Sequence, residues 1–117
     1  MTRKLEGQIM REIELALSAL RLPDGSPICI VWRQFVGKVM GPSGHMISIG
    51  IEGQADLGGV LFTGRSIQIE VKSETGRLRE GQKRWGAAMQ RMNVLWLVAR
   101  SKEEAVEAVL AAVRSSL

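Results

Sequence analysis

The chain has 117 residues, of which 16 are Lys or Arg and 12 are Asp or Glu, giving a formal net charge of +4. At 45 % hydrophobic and 24 % charged residues it reads as one folded domain over residues 1–117, and a disordered tail is excluded. The single cysteine, Cys29, excludes an internal disulfide and a multi-cysteine zinc site; no apolar run reaches membrane-spanning length, and the opening MTRKLEGQ turns polar too early for a secretory signal. A cytoplasmic location is the expectation.

Residues 3–21 predict an amphipathic helix: Leu5, Ile9, Ile13, Leu17 and Leu20 recur every three or four positions, and Thr2 is placed to cap it. Pro23-Asp24-Gly25 ends it with turn chemistry. A β-branched strand starts at Ile28 and is expected to run to Val36. Eight glycines then punctuate residues 37–64, so short strands over 46–51 and 56–62 are expected between tight turns. Thr63-Gly64-Arg65 predicts the turn into the clearest strand, residues 65–73, where Ile67, Ile69 and Val71 alternate with Gln68, Glu70 and Lys72. A helix over 79–92 should turn Trp85, Ala88, Met89 and Met92 inward. The apolar run 94–99 predicts a strand covered on both faces, and Ser101 with Glu104 predicts a capped final helix. Trp32 and Trp96 read as core, and Cys29 as a small buried apolar residue. His45 falls in a glycine-rich loop. The class is α/β.

Positive charge is concentrated. Residues 65–100 hold eight basic side chains against Glu70, Glu74 and Glu80, a net +5, while the rest sums to about −1. Either a solvated surface or a phosphate-binding face fits that distribution. Within the same region Asp56 and Glu70 lie fourteen positions apart, the spacing of two strands and a tight turn, so both carboxylates should meet at one end of a sheet. Lys72 projects to the same face as Glu70. Two carboxylates suit a hard divalent cation, with the Val71 carbonyl as a further ligand, and a lysine beside them suits phosphodiester hydrolysis. The plainer alternative is a polar hairpin face with an ordinary ion pair.

The stretch G-Q-A-D-L-G-G, then I-E-V-K-S-E-T-G-R-L-R-E-G-Q-K-R-W, resembles the virus-type replication-repair nuclease (VRR-NUC) domain of the PD-(D/E)XK nuclease superfamily. The resemblance covers nearly the whole chain and implies a PD-(D/E)XK-like αβββαβ core, a mixed sheet flanked by helices, with a C-terminal helix added. It makes Asp56 and Glu70 metal-binding carboxylates and Lys72 the catalytic lysine, using Mg²⁺ or Mn²⁺. It also implies roles for Gln82 on the following helix, for Glu6 on the first helix, and for Arg33 and Gly37 as an R-x-x-x-G pattern near DNA phosphate. Ala55 departs from the superfamily's proline at a position that supplies no ligand. Members of the family are structure-selective endonucleases of branched or junction DNA in replication, repair or recombination. The resemblance thus implies a DNA partner, a homodimer, and the cytoplasm of a bacterium or a phage-infected host cell. Arg77, Arg79, Lys83 and Arg84 would bind the DNA backbone. Two alternatives stand beside this one: a non-catalytic nucleic-acid-binding module using the 65–100 face, and an interaction subunit that docks an acidic protein.

Overall fold

The computed structural model describes residues 4–117. Thr2 and Arg3, expected at the start of the first helix, lie outside the described residues. Helix α1 spans Glu6–Ser18 and buries Ile9, Ile13 and Leu17, the centre of the predicted stripe. Its first turn closes when the Leu5 N–H donates to Gln8 Oε1 at 2.8 Å. Leu5 itself is exposed.

Four strands form one mixed sheet in the order β1 (Cys29–Arg33), β4 (Leu57–Leu61), β5 (Ser66–Val71) and β6 (Leu95–Ala99). The first two pairings are antiparallel and β5–β6 is parallel. Helix α2 (Glu80–Arg91) makes the crossover between the parallel strands, and α3 (Lys102–Val113) follows β6. Ser101 Oγ accepts from the Glu104 N–H at 3.1 Å, the cap expected for α3. Ile67, Ile69 and Val71 pack with Ile9, Ile13, Leu17, Ala105, Val109 and Val113, so α1 and α3 cover one face of the sheet. On the other face lies α2, where Gly86 meets the Trp96 ring. The result is an α/β domain of three layers.

Several expectations need correction. Strand β1 ends at Arg33, opposite Leu57, and the chain then leaves the sheet. It forms a separate antiparallel hairpin of β2 (Gly37–Met40) and β3 (Met46–Ile49), of which β2 was not anticipated. Glycine density hid it, because the alternating residues fall in two runs of four. Trp32 is 48 % exposed, since β1 is an edge strand and α2 does not reach it. Met92 is 78 % exposed because α2 has ended at Arg91. In β6 only Ala99 is fully buried, the strand lying at the other edge of the sheet. The polar face of β5 is not solvated: Gln68, Glu70 and Lys72 are all buried beneath α2.

That cover depends on Gly86, where a Cβ would fall 2.5 Å from the Trp96 ring. Replacing Gly86 by Ala gains about 1 kcal/mol of helix propensity, yet it forces α2 off the sheet or the indole out of place. Overpacking of this kind costs about 1–3 kcal/mol. Thermal unfolding of Gly86→Ala should therefore show a lower Tm than wild type; a raised Tm would contradict this packing.

Candidate active site

The register of β4 and β5 sets the carboxylates. Leu57 pairs with Ile69, so Asp56, one residue earlier, stands across from Glu70, one residue later. Opposed residues of an antiparallel pair share a face, which brings the two side chains together. Asp56 Oδ2 accepts the Val71 N–H at 2.8 Å, tying the residue to the end of β5. Strand alternation turns the Val71 carbonyl to the same side as its N–H, next to Asp56.

Glu70 is 2 % exposed. Its Oε1 accepts from Gln82 Nε2 at 2.8 Å and lies 3.7 Å from Lys72 Nζ. Its Oε2 is buried with no hydrogen-bond partner. Burial pushes the Glu70 carboxyl up to about 8, the neighbouring Asp56 carboxylate adds to that, Lys72 opposes it, and Glu6 adds a smaller upward push. Gln82 is oriented by the helix it belongs to. Its Oε1 accepts the Arg79 N–H at 2.9 Å at the start of α2, which leaves Nε2 to donate to Glu70.

Three polar side chains, Gln34, Gln68 and Trp85, hold the elements in this arrangement. Gln68 Oε1 accepts from Trp85 Nε1 at 3.2 Å and from Gln34 Nε2 at 3.1 Å. Gln34 also grips the strand carrying Asp56, donating its N–H to the Asp56 carbonyl at 2.8 Å and Nε2 to the Ala55 carbonyl at 3.0 Å. Gln34 and Gln68 carried no motif, and only the meeting of β1, β4, β5 and α2 reveals them. Gly53, with φ +84°, lies against the Gly81 carbonyl, and no side chain fits at that approach.

Beside this contact opens a cleft of about 320 Å³ that reaches Asp56 and Gln82 and is walled by Glu52, Arg79, Val36 and Gly37. Glu52 was not singled out from the sequence, because its place depends on the turn at Gly53. Of the sequence-predicted set, Asp56, Glu70, Val71, Lys72 and Gln82 meet at one point, and Glu6 lies exposed at the start of α1, near enough to act on Glu70. The basic residues divide. Arg79 lines the cleft, and Arg84 lines a neighbouring hollow with Trp85 and Glu52. Arg77 is exposed, while Lys83 pairs with Glu80 at 3.2 Å. Arg33 donates to Glu14 of α1 at 2.6 Å, so its charge is engaged within the fold. Arg100 bonds the Ser73 and Gly76 carbonyls at 2.6 and 2.7 Å and braces the loop after β5. Cys29 is buried, and burial pushes its thiol up.

Among the described residues no group of three or more His, Cys, Asp or Glu side chains is arranged to hold a metal ion. Two carboxylates do suit Mg²⁺, which takes one or two protein carboxylates and keeps several waters. A buried carboxylate oxygen without a partner, next to a second carboxylate, is the donor set such an ion would need. Comparison with protein-family models, curated proteins and solved structures finds no match.

The Glu70 shift has a stability consequence. Its carboxyl titrates near 4.5 when unperturbed and near 8 in the fold. The group's contribution to stability is thus fully present below pH 4.5 and lost as pH rises through 8. Glu70→Gln keeps the acceptor for Gln82, places an N–H toward Asp56 and removes the titration. Without divalent cations, Glu70→Gln should match wild type at pH 5 and exceed its Tm by about 5 °C or more at pH 8.5. Equal Tm values at both pH values would contradict the placement of Glu70.

Proposed function

We propose that this chain is a Mg²⁺- or Mn²⁺-dependent DNA endonuclease of the VRR-NUC type, hydrolysing phosphodiesters in branched or junction DNA. The observation that carries the reading is the Glu70 carboxylate, buried opposite Asp56 with one oxygen free and Lys72 beside it. Burying the Glu70 carboxylate beside a second one is destabilising in the absence of a cation, and a fold has no packing reason to keep it. The α/β architecture, and the place of these residues at one end of the sheet beside a crossover helix, agree with the PD-(D/E)XK-like core that the I-E-V-K motif suggests.

What a divalent cation bound there supplies is polarisation of a phosphate oxygen and acidification of water. The chain's own residues do the rest. Asp56, Glu70 and the Val71 carbonyl are the groups that would hold the ion. Gln82 fixes Glu70 Oε1 and leaves Oε2 for coordination. Lys72, buried and held near Glu70, presents its ammonium where negative charge develops on the reacting phosphate. Arg79 stands at the cleft wall, and Arg77, Lys83 and Arg84 extend the positive surface along the loop and helix beyond it. Contacts of this type bind backbone phosphates regardless of sequence, so recognition would follow the shape of the DNA.

Labelled four-way junction, flap, duplex and single-stranded DNA, incubated with Mg²⁺ or Mn²⁺ and with chelator, should show metal-dependent cleavage that favours branched forms. Glu70→Ala should abolish cleavage while DNA binding persists. Lys72→Ala should lower turnover by about 100-fold or more, as loss of a charge-stabilising group does, and Gln82→Ala by about 10–100-fold, as loss of a ligand-orienting partner does. Tight DNA binding with no cleavage in any metal would instead establish the non-catalytic module.

A further inference from the structure

In one row across the sheet, Trp32 of β1 stands opposite Gly58 of β4, and Gly58 opposite Gln68 of β5. With no side chain at Gly58, the Trp32 indole leans over β4, and its Nε1 lies 3.1 Å from where a Cβ on Gly58 would stand. Covering a cross-strand glycine uses only that side of the ring, and Trp32 remains 48 % exposed. The contrast is with Trp85 on the same face of the sheet, whose Nε1–H is tied to Gln68. The Trp32 Nε1–H bonds no described residue. Ile30, 58 % exposed, and Phe62, 38 % exposed, continue the same face on the side away from Asp56. The strip they form with Trp32 and Val60 contains no carboxylate to repel a phosphate strand.

We infer that the outer face of the Trp32 indole is a stacking platform for an unpaired base of bound DNA, and that Trp32 selects substrates with a nucleotide unpaired beside the scissile phosphate. Asp56 precedes Gly58 by two residues on the same face, which is about 7 Å along a strand. Stacked bases rise about 3.4 Å each. A DNA strand held at Asp56 and Glu70 therefore brings a base one or two nucleotides away over Trp32. A base inside a duplex has both faces covered by its neighbours and offers none to an indole, whereas a base at a flap, a junction or a single-stranded end does. Stacking of this kind tolerates any base, in keeping with recognition of shape over sequence. Continuity with the cleft favours a base over an apolar protein segment. Gln34, next to Trp32 on this face, bonds the Asp56 carbonyl through its N–H and the Ala55 carbonyl through Nε2, so one side chain joins the indole to the carboxylate strand. Only the position of that base beside the cut rests on the nuclease reading.

Binding of the full chain to oligothymidylate and to a blunt duplex, measured in chelator at one salt concentration, tests this independently of cleavage. Oligothymidylate should quench the tryptophan emission of the wild type. Trp32→Phe should lose most of that quenching yet keep its affinity within about threefold, because a phenyl ring still stacks. Trp32→Leu still covers Gly58 but cannot stack. It should bind oligothymidylate about 5- to 50-fold more weakly and the duplex as tightly as the wild type. Wild-type affinity of Trp32→Leu for oligothymidylate, an equal loss on the duplex, or undiminished quenching in Trp32→Phe would overturn the inference. Should Trp32→Leu fail to fold, the quenching of wild type against Trp32→Phe decides. Metal-dependent cleavage by a wild type that shows any of these contrary results would leave the nuclease reading standing and overturn the role of Trp32 alone. The expected binding pattern without cleavage in any metal would do the reverse, keeping Trp32 as the base platform of a non-catalytic module.

Discussion

Glu70 lies out of water, directly across from Asp56, with one oxygen held by Gln82 and the other facing no donor. The rest of the domain is arranged around that carboxylate. Three isoleucine and valine side chains of β5 anchor it from behind in the core shared with α1 and α3. Helix α2 covers it from the front, brought close by the missing side chain at Gly86 and clamped by the Trp85 to Gln68 hydrogen bond. The same helix start that receives the Gln82 side chain orients its amide toward Glu70. Backbone capping and site geometry are here a single interaction.

The arrangement trades stability for readiness. Like charges directly opposed on a sheet are unfavourable, and burial raises the cost of ionising Glu70. Lys72 offsets this only in part, since its ammonium is 3.7 Å from Glu70 Oε1 and burial still dominates the carboxyl's titration. A divalent cation would reverse the balance by favouring the ionised form of both carboxylates. Under the nuclease proposal, such an ion is what would complete the site.

Much of this was legible in the sequence because it depends on short-range spacing. The fourteen-residue interval from Asp56 to Glu70 spans a hairpin whose turn residues announce themselves, and E-x-K on an alternating strand places Lys72 on the right face. The long helices also follow from their apolar spacing. What the sequence concealed depends on the third dimension. The polar face of β5 resembles a solvated surface until α2 is seen to cover it. Gln34 and Gln68 acquire a role only when β1, β4, β5 and α2 are brought together. Trp32 has a core composition but an edge-strand address, and the β2–β3 hairpin is too short and too glycine-rich for its period to stand out.

The most direct test is calorimetric titration of Mn²⁺ into the wild-type protein in buffers of different ionisation enthalpy at pH 6.5 and pH 9. If Glu70 is a cation ligand held largely protonated near neutrality, binding at pH 6.5 should release close to one proton per ion, and binding at pH 9 close to none. Binding with no proton release at pH 6.5, or no binding at either pH, would contradict a cation site at Glu70.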